Sequence, residues 1–153
     1  MLVYHTMLVY RIELKVSTIR EFHPNKLTLW NRNVGPYVTQ VFNKTTLKWL
    51  ENFYINPRPC ISIDDARHPA PWEDERLNRN LECRGGFDGL HFGFSSLPKL
   101  SKWFDKYERE RLHNCGFVCM VYEVDKLYAG KSQCVFDLQR ANLVNMLSLK
   151  EIY

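Results

Sequence analysis

The sequence predicts an α+β fold: a single domain with a small mixed or split sheet and a few helices. Three observations carry that prediction. Residues 8–16 alternate apolar and polar side chains with period two, residues 97–112 repeat apolar side chains at helical spacing, and residues 117–124 form a near-continuous apolar run. At 153 residues the chain is long enough to bury a core and too short for two independent ones.

The first strand is read from Leu8, Tyr10, Ile12, Leu14 and Val16 on one side, with Arg11, Glu13 and Lys15 on the other. Upstream, Met-Leu-Val-Tyr occurs at 1–4 and again at 7–10, a spacing far below that of any solenoid unit. Met7 serves as well as Met1 for a translation start, and with that start 1–6 would be an N-terminal extension to a single domain expected over 7–153. Residues 17–40 mix Pro, Asn and Gly with scattered aromatics and read as a long ordered loop, with a turn at Val34-Gly35-Pro36-Tyr37. Thr45 or Thr46 caps a short helix whose apolar face is Leu47, Trp49, Leu50 and Phe53. Residues 55–90, with Pro57, Pro59, Pro69 and Pro71, runs of Asp and Glu, and Gly85-Gly86, read as connection.

Leu90 to Phe94 is the next strand, and Ser95-Ser96 offers a cap directly before Leu97-Pro98. One helix follows, with Leu97, Leu100, Trp103 or Phe104, Tyr107 and Leu112 on its apolar face, stopped by Asn114-Cys115-Gly116. Phe117 to Val124 is expected to be a central strand buried on both faces, with Leu90–Phe94 as its first neighbour. A further strand spans Lys131 to Phe136 after a turn at Gly130, and Ala141 to Leu149 is a short helix or an edge strand.

Composition narrows the function classes. With 45% hydrophobic and 25% charged residues, disorder, collagen-like and coiled-coil readings are disfavoured. A net charge of +4 is too mild to mark a nucleic-acid-binding face by itself, so nucleic-acid binding stands third among the readings. No apolar run approaches the roughly 18–20 residues that cross a bilayer, and no secretory signal opens the chain, so a soluble intracellular protein without a membrane partner is expected. The five cysteines form no CxxC pair, and their odd number fits reduced thiols; the second ligand pair a zinc site needs is missing, so no metal is expected. The nucleophile elbow G-x-S-x-G, a P-loop lysine, H-E-x-x-H and GxGxxG are all absent.

Several residues nonetheless suit chemistry. Arg11 and Glu13 point the same way on the first strand, and the forked donors of Arg11 match a phosphate or carboxylate; a surface ion pair is the plainer reading. His68 lies among Asp64, Asp65, Glu73 and Asp74 and beside Pro69, a rigid polar loop in which it can act as a general base or orient a ligand. Ser95 and Ser96 stand where a strand passes into a helix, a place that holds anions, although capping alone accounts for them. Trp103 and Phe104 are expected in the core rather than in a stacking platform.

Taken together, Tyr10-Arg11-Ile12-Glu13, Gly35-Pro36-Tyr37, His68-Pro69, Phe92-Gly93-Phe94-Ser95-Ser96, Trp103-Phe104, Gly116-Phe117, Val121-Tyr122-Glu123-Val124 and Gln133-Cys134-Val135-Phe136 resemble a family of small phage and prophage proteins of uncharacterised function. The resemblance spans nearly the whole chain from Met7 and implies the cytoplasm of a host cell as the setting. More weakly, an Arg on the first strand, an aromatic strand running into Ser and a helix, and a late polar strand residue resemble ADP-ribosyltransferase-like folds. That resemblance implies NAD in a cleft between two small sheets, with Arg11 on a phosphate, Phe92 and Ser95 lining the nicotinamide pocket and Gln133 at the late strand position. With His68 from the polar loop, Arg11 and Gln133 make the expected catalytic set, and Tyr37 joins Arg11, Phe92 and Ser95 against the cofactor. Gln133 falls where active members carry Glu and lacks the charge that steadies an oxocarbenium ion; Glu123 is the carboxylate that stands in for it. The implied function is an accessory protein that binds NAD or a related nucleotide and modifies a host or defence target. The alternative is a non-enzymatic inhibitor that touches such a target through Trp30, Tyr37, Tyr54 and Trp72.

Overall fold

The computed structural model describes residues 6–15, 73–84, 86, 89–114 and 116–152. The loop expected over 17–40, the helix through Leu47 to Phe53, and Trp30, Tyr37, Tyr54, His68 and Trp72 lie outside the described residues.

Two three-stranded antiparallel sheets form the frame. In the first, β1 (Met7–Leu14) and β6 (Asn142–Leu147) flank the central β3 (Phe117–Val124). In the second, β2 (His91–Gly93) and β4 (Tyr128–Ala129) flank β5 (Cys134–Phe136). The sheets join where Tyr10 and Phe94 exchange both backbone hydrogen bonds, each at 2.8 Å. That junction needs the backbones close together, and Gly93 permits it: a Cβ there would sit 2.6 Å from Val9 Cγ1 and 3.1 Å from the Tyr10 carbonyl oxygen. The strand Leu90–Phe94 thus does not take β3 as its neighbour; it pairs with β5 and touches β1.

Side-chain alternation then sorts the core into layers. One face of the first sheet, with Ile12, Leu14, Phe117 and Cys119, packs on Leu100, Trp103, Phe104 and Leu112 of the helices and on the C-terminal Leu149 and Ile152. Phe94 sits in the same cluster, 5.6 Å from the Trp103 ring and edge-on to Phe104 at 5.9 Å. The opposite face, with Val9, Met120, Tyr122 and Val124, packs on Cys134 and Phe136 of β5. Behind the second sheet, α1 (Glu75–Leu81) lays Leu77 and Leu81 on Val135. Each of these fully buried leucines contributes about 1.5–3 kcal/mol relative to exposure.

The helix α1 stands inside the stretch read as connection. Its N-cap Asp74 accepts the Leu77 amide at 3.1 Å through one carboxylate oxygen and the Lys131 amide at 2.8 Å through the other. Asn80 adds a bond to the Ala129 carbonyl at 2.6 Å, so α1 is tied to the β4–β5 turn at two points.

The long helix expected after Ser96 is two helices, α2 (Leu97–Trp103) and α3 (Lys106–Asn114). Ser96 caps α2 as expected, accepting the Lys99 amide at 3.3 Å. Asp105 then starts α3: its carboxylate accepts the Glu108 amide at 2.8 Å while Glu108 accepts the Asp105 amide at 3.4 Å, a reciprocal capping box. Arg109 reaches back to the carbonyls of Phe104 at 2.6 Å and Ser101 at 3.2 Å, satisfying acceptors left open at the end of α2. Gly116, with φ of 90°, ends α3 in a backbone conformation that favours glycine and turns the chain into β3.

Phe117–Val124 is the central strand anticipated, and 141–149 resolves to the edge strand β6. The strand expected from Lys131 begins only at Cys134, because Gly130 to Gln133 close a turn through Gly130 N–H to Gln133 O at 2.8 Å. In β6 the register slips opposite Val121 and Tyr122, which pair with Asn145 and Leu143, so Val144 is an extra residue with no partner on β3.

Candidate functional site

The polar side of β1 does not face water. The second sheet covers it, leaving Arg11 at 7% and Glu13 at 1% exposure, so the surface ion pair expected from alternation is a buried one. Arg11 Nε donates to Glu13 Oε1 at 3.0 Å and its NH1 donates to the Phe92 carbonyl at 2.7 Å. The guanidinium carbon also lies 5.3 Å from the centroid of the Phe92 ring. From β3, the Tyr122 hydroxyl donates into the Glu13 carboxylate, 2.9 Å from one oxygen and 2.8 Å from the other.

This arrangement follows from register. Val9, Arg11 and Glu13 share a face of β1, Val118, Met120 and Tyr122 share the matching face of β3, and β2 brings Phe92 over Arg11. Removing two charges from water costs several kcal/mol each unless they are paired and hydrogen-bonded, and here both conditions hold. Burial first, and then the negative charge of Glu13, push the Tyr122 phenol above its ordinary value, so it remains a neutral donor at physiological pH. Burial pushes the Cys119 and Cys134 thiols up to about 12, which keeps both protonated and unreactive.

Of the residues the sequence proposed for a site, Arg11 and Phe92 come together. Gln133 is buried at 4% exposure, one position before the β2–β5 pair Gly93 and Cys134, and its carbonyl closes the β4–β5 turn. Ser95 is half-buried and accepts Lys99 Nζ at 3.3 Å. Glu123 lies on the face of β3 opposite to Tyr122, away from the Arg11 group. His68 and Tyr37 lie outside the described residues.

Tyr122 is the member that sequence reasoning missed. The signal was present: a tyrosine inside a strand buried on both faces needs a hydrogen-bond partner for its hydroxyl, and the first strand offered a carboxylate.

Among the described residues no helix is long and apolar enough to cross a membrane. No solved structure matches the chain. An uncharacterized 19.7 kDa protein from the motB-dexA intergenic region of Enterobacteria phage T4 is 28% identical over 169 residues, covering 94% of this chain and 99% of that protein. The family model for the Bacteriophage T4 Y00F protein matches residues 7–150, from the start of β1 to the C-terminal turn, and the chain belongs to that phage protein family.

Proposed function

We propose that this phage protein is an accessory factor that acts by direct contact with a host or defence protein, and that β6 is the contacting element. One observation carries the reading. β6 is the outer strand of its sheet, and Leu143, Val144 and Met146 are exposed at 56%, 50% and 45% along it. Apolar side chains clustered on one exposed element mark interaction surfaces more often than scattered ones do. Asn142 and Asn145, also exposed, supply polar positions between them. The bulge at Val144 discourages backbone strand addition, so the fitting partner is a protein surface that presents an apolar patch to these three side chains.

The test is a pull-down from host cells with the wild-type chain and with Leu143→Lys plus Val144→Lys. Both positions are exposed, so the thermal unfolding profile is expected to stay unchanged while one wild-type partner is lost. Retention of the same proteins by both chains overturns the reading. Trp72→Ala forms a separate arm for the aromatic anchor named from the sequence.

A second reading, NAD or a related nucleotide held near Arg11 by an ADP-ribosyltransferase-like modifier, rests on the nearness of Arg11 to Phe92 and requires the buried Arg11 to exchange its Glu13 and Phe92 partners for the nucleotide. Calorimetry with NAD tests it: heat in the wild type that disappears in a folded Arg11→Ala supports it, and no heat in the wild type removes it.

A further inference from the structure

A second polar feature lies away from Arg11, where three chain segments enclose a recess of 160 Å³. Arg84 enters it from the turn after α1, Lys126 from the β3–β4 connection, Tyr128 from the start of β4, and Asp137 and Arg140 from the turn that follows β5. Lys126 Nζ stands 5.1 Å from the centroid of the Tyr128 ring. Arg84 is steadied by one bond, NH1 to the Gly86 carbonyl at 3.0 Å. None of the three cations forms an ion pair with a carboxylate among the described residues. The recess also contains carboxylates: Asp125 is exposed, and Asp137 accepts the Gln139 amide at 3.0 Å as the cap of its own turn. Cationic groups outnumber anionic ones, and the cations converge from separate segments rather than along one solvated face.

We propose that this recess binds the phosphoryl group of a phosphate monoester. Its chemistry favours that ligand over a simple carboxylate. Two guanidiniums offer planar forks matched to tetrahedral oxyanions, a monoester carries close to two negative charges at neutral pH, and the Tyr128 ring gives an attached sugar or base an apolar wall. Size decides how much of the ligand is enclosed. A volume of 160 Å³ is below the roughly 300–1,000 Å³ of sites that enclose a whole drug-sized molecule, so the recess holds the phosphoryl end and leaves the rest outside. NAD carries only bridging phosphates and lacks such an end. The monoester comes from a free nucleotide or from the 5′ end of a nucleic-acid strand, and both present the same group. The inference stands independently of the β6 contact.

Calorimetry on the full chain at low salt tests it with AMP, adenosine, and a short single-stranded oligonucleotide with and without a 5′ phosphate. AMP is expected to bind and adenosine not to. Arg84→Ala and Arg140→Ala are each expected to weaken AMP binding about tenfold or more, as loss of a charge-assisted hydrogen bond does. Lys131→Ala, an exposed cation outside the recess, is expected to leave it unchanged. Binding confined to the 5′-phosphorylated oligonucleotide and lost in the same two variants also supports the site and assigns its source to a strand end. The proposal is overturned if neither phosphorylated probe binds, if adenosine binds as AMP does, or if Lys131→Ala weakens binding as much as Arg140→Ala. All three arginine and lysine positions are exposed, so folding is not at risk in these variants.

Discussion

The Tyr122 hydroxyl lies within 2.9 Å of both Glu13 carboxylate oxygens, joining residues 109 positions apart across the centre of the first sheet. One phenolic proton serves two acceptors, and the Arg11 guanidinium donates to the same carboxylate. The network bridges β1, β2 and β3, so its integrity is read as stability of the joined sheets.

Breaking this network one member at a time is expected to cost unequal amounts. Tyr122→Phe removes a bond to a charged acceptor, about 1.5–3 kcal/mol. Glu13→Ala leaves the Arg11 guanidinium buried without its counter-ion and is expected to cost about 3–5 kcal/mol. Arg11→Met combined with Glu13→Leu is expected to restore part of that loss, since an apolar pair of similar volume carries no unpaired charge, and adding Tyr122→Phe to restore more, because it removes the hydroxyl that has lost its Glu13 acceptor. Urea unfolding of the wild type and these variants checks the ordering, and adding the single variants Arg11→Met and Glu13→Leu closes a cycle in which additivity would rule out direct coupling.

Alkaline pH is expected to weaken the fold. Cys119 and Cys134 rise from 9.0 to about 12 in the folded chain, and Tyr122 rises above its ordinary value of 10.0. A raised folded pKa means that the native state holds its proton more firmly than the unfolded chain. That stabilisation is therefore complete below about pH 9 and is lost as pH climbs through the folded values. Urea midpoints should fall between neutral pH and about pH 11, and fall less in the Cys119→Ala, Cys134→Ala double variant. A thiol reagent should modify neither cysteine faster than the chain opens.

Gly93→Ala is expected to strain the junction between the sheets. The new methyl would meet Val9 Cγ1 and, at 3.1 Å, a backbone oxygen that cannot swing aside. A loss of about 1–3 kcal/mol is the ordinary consequence of overpacking. Hydrogen exchange localises it: the Tyr10 and Phe94 amides, which bond across the junction, should lose protection ahead of the amides at the centre of β3.

Asp74→Ala is expected to loosen α1 without unfolding the sheets. Loss of an N-cap carboxylate costs about 1 kcal/mol, and the Lys131 amide loses its partner at the same time. Faster exchange at Leu77 and Lys131, with β3 unaffected, is the expected pattern; equal acceleration everywhere would show that α1 is not a separable unit.

These residues show what the sequence made legible. The run Phe117–Val124, the Ser96 cap and the Gly116 stop each depend on neighbours a few residues away, so local chemistry revealed them, whereas 141–149 stayed open between a short helix and an edge strand until its pairing with β3 decided it. The break between α2 and α3 was also written locally, as Asp105 followed three positions later by Glu108, but the surrounding apolar spacing masked it. For α1, only Leu77 and Leu81 mark an apolar face, and the adjoining prolines and acids outweigh so short a signal. Burial of Arg11 and Glu13 was beyond local reading: polar alternation is the same whether water or a second sheet covers it. Which strand β2 chose likewise depended on Gly93 and its closeness to Val9, a tertiary fact.

The extra residue at Val144 bears on how molecules of this chain meet each other. A straight, apolar outer strand is a template on which identical chains add without limit, each supplying the edge for the next. With one residue out of step, the hydrogen-bonding ladder is interrupted before a second copy can run along it. Deleting Val144 would bring the strand back into step and turn a self-limiting surface into one that propagates, with fibrous aggregates as the visible result.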